Sequence, residues 1–304
     1  MKKRNQKALG YYMQGIMLPC MRDLKKLLGK QDAAIQTNEI LLRHFEEIAS
    51  KQEKDINIFL KSLADKYKIS HGSNDFNYVR LKISESNIVN TFTIFDAFLK
   101  EFATQLKVYK NISKEDWKDK DRNGDQLDTL NQIIENISVE SKKRIIHLPE
   151  YHLLEYYRFT RNSIIHTHDS QRKKERLDNY NKEIINKYET HFIEHYKSVP
   201  SLKDYLNFED YFLYTRAIKY FSNVLNDAVE LSYSEVCSYA LNDENLIRKL
   251  RGTEGISEQG IRARRIKQLK SYFFNKHGYS NSKKQQEEFL QAFKEVDKVK
   301  WDKY

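Results

Sequence analysis

Apolar residues return every three or four positions along most of this chain, with charged residues between them. The clearest stripe is Ile88, Phe92, Phe95, Leu99, Phe102 and Leu106, which predicts a core-facing helix over about 84–108. Ile40, Leu41, Ile48, Phe59 and Leu63, separated by Glu and Lys, predict one long helix over 37–67. A shorter helix is expected over 19–29, with Pro19 in its first turn and its end near Gly29. A helix is expected near 125–137, and another runs from Leu148-Pro149-Glu150 to about 168, with Pro149 preset for the first turn. Tyr211, Phe212, Tyr214, Tyr220, Phe221 and Leu225 mark a long aromatic helix over 205–240. The run from Ser70 to Asp75 is a clear loop and the best domain boundary. Residues 169–203 are very polar and read as a helical or loose insertion, and no internal repeat is visible.

Composition narrows this picture. With 3 Pro and 9 Gly in 304 residues there is little material for hairpins or Rossmann loops, so the expected fold class is all-α, a helical bundle. Three regions are expected: an N-terminal helical extension at 1–75, a central helical domain at 76–240 carrying the polar insertion 169–203, and a basic helical region at 241–304. Cys20 and Cys237 form neither a disulfide framework nor a zinc-ligand set, and a reducing cytoplasmic setting fits them best. No run approaches the ~18 apolar residues of a membrane span, so no membrane partner is expected. The stretch from Lys2 to Cys20 faintly echoes a lipoprotein signal, but Tyr11, Tyr12 and Gln14 weaken its apolar part and Pro19 is wrong for cleavage. The net charge of +10 fits either a solvated lysine-rich surface or a polyanionic partner. Arg262, Arg264, Arg265, Lys267 and Lys270, close to Tyr272, Phe273 and Phe274, are the candidate contacts to an RNA backbone.

Two motifs imitate metal sites. Asp119 to Asp125 copies the first half of an EF-hand loop, with Gly124 in the sixth position, but Leu130 stands where the bidentate Glu belongs. A helix-connecting turn is expected there. His191-Phe-Ile-Glu194-His195 matches H-x-x-E-H, yet it lacks a third ligand and a shaped pocket, so a solvated helix face is expected. Neither metal nor cofactor is expected.

The segment with the most chemistry is Arg161-Asn162-Ser163-Ile164-Ile165-His166. Asn162 and His166 are four residues apart and fall on one helix face, with Arg161 expected at its edge. A cation, an amide and an imidazole together are the parts for metal-free RNA cleavage. The imidazole moves protons near neutral pH, the guanidinium holds the charge gathered on phosphorus, and the amide fixes the imidazole or a phosphate oxygen. Asp96 and His168 are secondary candidates, the first to orient Arg161 or His166 and the second to touch substrate.

In this segment the chain resembles the HEPN superfamily (higher eukaryotes and prokaryotes nucleotide-binding), whose mark is an R-x4–6-H motif, commonly R-N-x-x-x-H. Arg161, Asn162 and His166 match it position for position, and Phe95-Asp96-Ala97-Phe98-Leu99 resembles the F-(E/D)-A-F-L-like segment of an upstream helix. The resemblance covers roughly 76–240. It implies a helical bundle that forms a homodimer with its motifs facing each other. It also implies metal-independent endoribonuclease activity that leaves 2′,3′-cyclic phosphate and 5′-OH ends, as in bacterial toxins, abortive-infection effectors and antiviral defence. An antitoxin or defence-system partner would fit that setting. The same fold also serves as a non-catalytic RNA- or nucleotide-binding module or as an antitoxin-like interaction module, and the intact Arg161 and His166 favour the nuclease.

Overall fold

In the computed structural model, residues 16–52, 55–70, 72, 75–166, 171–251 and 258–301 are described. The chain is all-α: among these residues there is no strand, and the one β-bridge pairs Lys120 with Gln126 inside a turn. The helices in chain order are α1 (Cys20–Lys51), α2 (Ile56–Tyr67), α3 (Phe76–Lys110), α4 (Thr129–Glu135), α5 (Val139–Ile146), α6 (Pro149–Ile165), α7 (Gln171–Tyr196), α8 (Phe208–Ala228), α9 (Tyr233–Leu241), α10 (Glu244–Arg251), α11 (Glu258–His277) and α12 (Lys283–Trp301). None is long and apolar enough to cross a membrane.

Several elements differ from the expected ones for local reasons. Gly29 does not end a helix. A Cβ there would meet nothing within 4 Å, and α1 continues through it because Leu24, Leu28 and Ile35 are buried along one face. Ile40 and Leu41, expected in that apolar stripe, are instead exposed. Their place on the buried side is taken by Glu39, paired with Arg43 at 2.8 Å and Arg80 at 3.0 Å. The helix expected over 37–67 is two, because Asp55 caps a fresh start and accepts hydrogen bonds from the N–H groups of Asn57 and Ile58. The helix expected over 205–240 also breaks. Ser232 and Glu235 form a capping box that opens α9.

The chain divides into two compact units, each discontinuous in sequence: 1–21 with 101–138 and 223–304, and 22–100 with 139–222. In the first, the Tyr109 and Tyr239 rings stack at 4.2 Å, and Phe273 meets Phe289 edge-on at 5.8 Å. In this unit the EF-hand-like sequence is a closed turn. Asp121 Oδ1 accepts the N–H groups of Asn123 and Asp125 at 2.8 and 2.9 Å, and Gly124 takes φ +87°.

The second unit carries the candidate motif. In it, Phe45 of α1 lies 5.2 Å from Phe59 and 5.3 Å from Phe76, tying α1, α2 and α3 together. Tyr156, Tyr157 and Thr160 on one side of α6 are fully buried, with the Tyr157 ring 4.5 Å from that of Tyr214 in α8. Tyr157 also donates to Asp210 Oδ1 at 2.9 Å, and the same carboxylate accepts the N–H groups of Ser201 and Asn207. Beside this fixed face, α6 packs along α7. Within 169–203, expected as a helical or loose insertion, Gln171–Tyr196 is a continuous helix of 26 residues. Leu177, Ile184, Phe192 and Tyr196 of α7 are buried.

Candidate functional site

The motif occupies the last turn of α6. The helix ends at Ile165, and His166 is its C-cap, with φ −94° and ψ 79°. Its N–H still donates to the carbonyl of Asn162 at 2.9 Å, so His166 stays one turn beyond Asn162 although it has left helical geometry. Lys203 donates to the carbonyl oxygen of Ser163 at 2.9 Å and to its hydroxyl at 3.1 Å, satisfying a terminal acceptor that the helix cannot pair itself.

Between α6 and α7 lies an open cleft of about 660 Å³. Phe159, Asn162, Ser163 and His166 line it from α6. The facing wall is α7, with Lys173, Arg176, Asn179, Tyr180 and Glu183. These α7 residues recur at three- and four-residue steps, so they share one face of that helix. Phe159 meets Tyr180 edge-on at 5.8 Å, and His152 stacks on Tyr188 at 5.4 Å. The two helices run antiparallel, so the C-terminal end of α6 lies toward the N-terminal end of α7. The cleft therefore has a cationic end holding His166 and an aromatic end holding Phe159 and Tyr180.

Arg161 does not line the cleft. Each helical residue turns the side chain by about 100°, which carries Arg161 past the edge of this face and toward α3. Its guanidinium lies over the Phe92 ring, 5.1 Å from the centroid, with Nε buried. Only Nη1 reaches back, donating to Asn162 Oδ1 at 3.0 Å. That bond points the amide oxygen at Arg161, and the Nδ2 group of Asn162, a cleft-lining residue, keeps its two donors.

The other expected residues are dispersed. Asp96, on α3, pairs with Lys100 at 2.7 Å instead of meeting Arg161 or His166. His168 lies outside the described residues. In the C-terminal cluster, Arg262 pairs with Glu287 at 2.7 Å. Arg265 donates to the Leu250 carbonyl at 2.8 Å and sits over Phe293 at 5.4 Å. Arg264, Lys267 and Lys270 are exposed along one face of α11, and Phe274 on the same face is 58% exposed.

The H-x-x-E-H segment has a structural partner. Glu150, 1% exposed in the first turn of α6, accepts from Tyr196 at 2.6 Å and is joined to His191 Nε2 at 2.7 Å. Among the described residues no group of three or more His, Cys, Asp or Glu is placed to hold a metal ion. Burial, and then the nearby Lys187 and His147, lower the pKa of His152 behind the aromatic end of the cleft.

The polar residues of α7 that face the cleft were absorbed into an insertion at the level of sequence. The signal that could have found them is a faint amphipathic pattern. Leu177, Ile184 and Phe192 recur about once every two turns, and Lys173, Arg176, Tyr180 and Glu183 fall at helical spacing beside them.

No family model matches the chain, and no curated protein and no solved structure matches it.

Proposed function

We propose that this chain is a metal-independent endoribonuclease of the HEPN type, acting as a toxin or anti-phage defence effector. The observation that carries the reading is that Asn162 and His166 of the R-N-x-x-x-H motif share one solvent-open cleft with Lys173 and Arg176. An exposed imidazole beside two cations and an amide donor suits an RNA phosphate. In the reaction, the 2′-oxygen loses its proton to an imidazole and bonds to the adjacent phosphorus. The bond from phosphorus to the 5′-oxygen breaks, and that oxygen takes a proton from a second imidazole. The products are a 2′,3′-cyclic phosphate and a 5′-OH.

Lys173, Arg176 and the Asn162 amide hold the charge that gathers on the phosphorane oxygens. Arg161 acts through Asn162, as a positioning residue. His166 is the single imidazole among the described residues lining the cleft, so a homodimer that brings two clefts together supplies the second one. The basic face of α11, in the other unit, is a separate surface suited to phosphate contacts. The test is cleavage of RNA by purified wild type, His166→Ala and Asn162→Ala. A loss of at least about 10²-fold is expected for His166→Ala. Undiminished cutting by that variant would overturn the reading.

A further inference from the structure

The catalytic groups fill only one end of the cleft, and the other end has the composition of a base-reading site. We propose that the α6–α7 cleft binds one nucleotide of the RNA and selects guanine, with Arg176 on its phosphate, Phe159 and Tyr180 against the base, and Glu183 on the base edge. The proposal rests on the ribonuclease reading for its biological substrate, while the pocket itself is argued from its own geometry.

Size comes first. A cleft of about 660 Å³ falls within the range that encloses small ligands of nucleotide size. Spacing comes second. Arg176 and Glu183 stand seven residues apart on one face of α7, roughly 10 Å along the axis. That is close to the reach from a phosphate to the far edge of its base. Phe159, 41% exposed with the Arg158 guanidinium 4.6 Å from its ring centroid, and Tyr180 lie between these levels and meet edge-on at 5.8 Å, so aromatic rings stand beside the base position. Stacking on such a surface favours an unpaired base.

The choice of base follows from donors and acceptors. An ionised carboxylate only accepts hydrogen bonds. Guanine presents two adjacent N–H donors on its Watson–Crick edge, at N1 and N2, and a carboxylate can take both. Adenine, cytosine and uracil each place an unshared acceptor pair within that edge, which would face the carboxylate oxygens. Asn179, one turn before Glu183 on the same wall, can donate to guanine O6 through its amide. Among the described residues no hydrogen bond or ion pair engages the side chains of Arg176, Asn179 or Glu183, so no existing bond has to be broken to admit the base.

The experiment is calorimetric binding of 5′-GMP, 5′-AMP, 5′-CMP, 5′-UMP and guanosine to the full chain, repeated with Glu183→Gln and Arg176→Ala. The expected result is that GMP binds roughly tenfold or more tighter than the other nucleotides. Glu183→Gln should erase that preference, and Arg176→Ala should make GMP bind no better than guanosine. Both positions are exposed on α7, and Glu183→Gln keeps the side-chain shape. Equal affinity for all four nucleotides, or a guanine preference untouched by Glu183→Gln, would overturn the proposal. Guanine-selective binding without RNA cleavage would retain the pocket and remove the nuclease. RNA cleavage with no guanine preference would do the reverse.

Discussion

Lys203 donates its ammonium to the carbonyl oxygen of Ser163 at 2.9 Å and so closes the helix end that presents Asn162 and His166. A cation at a helix C-terminus is favourable both as a hydrogen-bond donor and against the helix dipole. Lys203→Ala should lower stability by about 0.5–1.5 kcal/mol in denaturant unfolding. It should also slow RNA cleavage, because the C-cap residue His166 loses its fixed base. Lys203→Arg should recover most of both. Full activity in Lys203→Ala would mean that the last turn of α6 holds its shape unaided.

Acidification should act on the fold through His152. Its pKa is held below the ordinary value mainly by burial, so the folded protein binds this proton less readily than the unfolded chain does. Stability from this group is therefore complete above the unfolded pKa of about 6.5 and is lost as pH falls through the lower folded value. His152→Phe preserves the ring stacked on Tyr188 and leaves Tyr180 its contact to the carbonyl of residue 152. Its thermal midpoint should fall less than that of wild type between pH 7.5 and 5.5. An identical fall in both proteins would show that His152 carries none of the acid sensitivity.

Salt dependence should separate the two halves of the basic C-terminal cluster. Arg262 and Arg265 already have partners in Glu287 and the Leu250 carbonyl, whereas Arg264, Lys267 and Lys270 face outward. Each phosphate contact on single-stranded RNA contributes about 0.7 to the slope of log affinity against log salt. Reversing charge at Arg264, Lys267 and Lys270 should therefore flatten the slope by up to roughly 2. A slope that stays put, measured by fluorescence anisotropy over a salt series, would assign these three residues to a solvated surface.

Much of this architecture was legible in the sequence, for identifiable reasons. The stripe from Ile88 to Leu106 marked α3, because burial of one face enforces the helical period, and Pro149 marked the start of α6. The breaks were harder to see. Ser232 and Glu235 end one helical run and begin another through two side-chain bonds, which hydrophobic periodicity does not register. The motif was legible as three residues, but not their arrangement. Which way Arg161 turns depends on Phe92, a residue 69 positions away. The α7 wall was hidden for a related reason. A helix that lines an open cleft keeps polar residues on its inner face, so it carries little of the apolar signal by which helices are recognised.

Shared catalysis across a two-fold axis is expected if His166 must act once as base and once as acid. Wild-type chains mixed equally with His166→Ala chains and allowed to exchange should then keep about a quarter of the activity, since only wild-type pairs carry both imidazoles. Retention of about half, once exchange is complete, would show that each protomer cuts alone.

The most direct test of the central claim is the chemistry of the cut ends formed in the presence of EDTA. Wild-type protein should cleave RNA at an unchanged rate under chelation, leaving 2′,3′-cyclic phosphate and 5′-OH termini, and His166→Ala should leave the RNA intact. Cleavage abolished by EDTA and restored by magnesium, with 3′-OH products, would contradict the acid–base mechanism at His166.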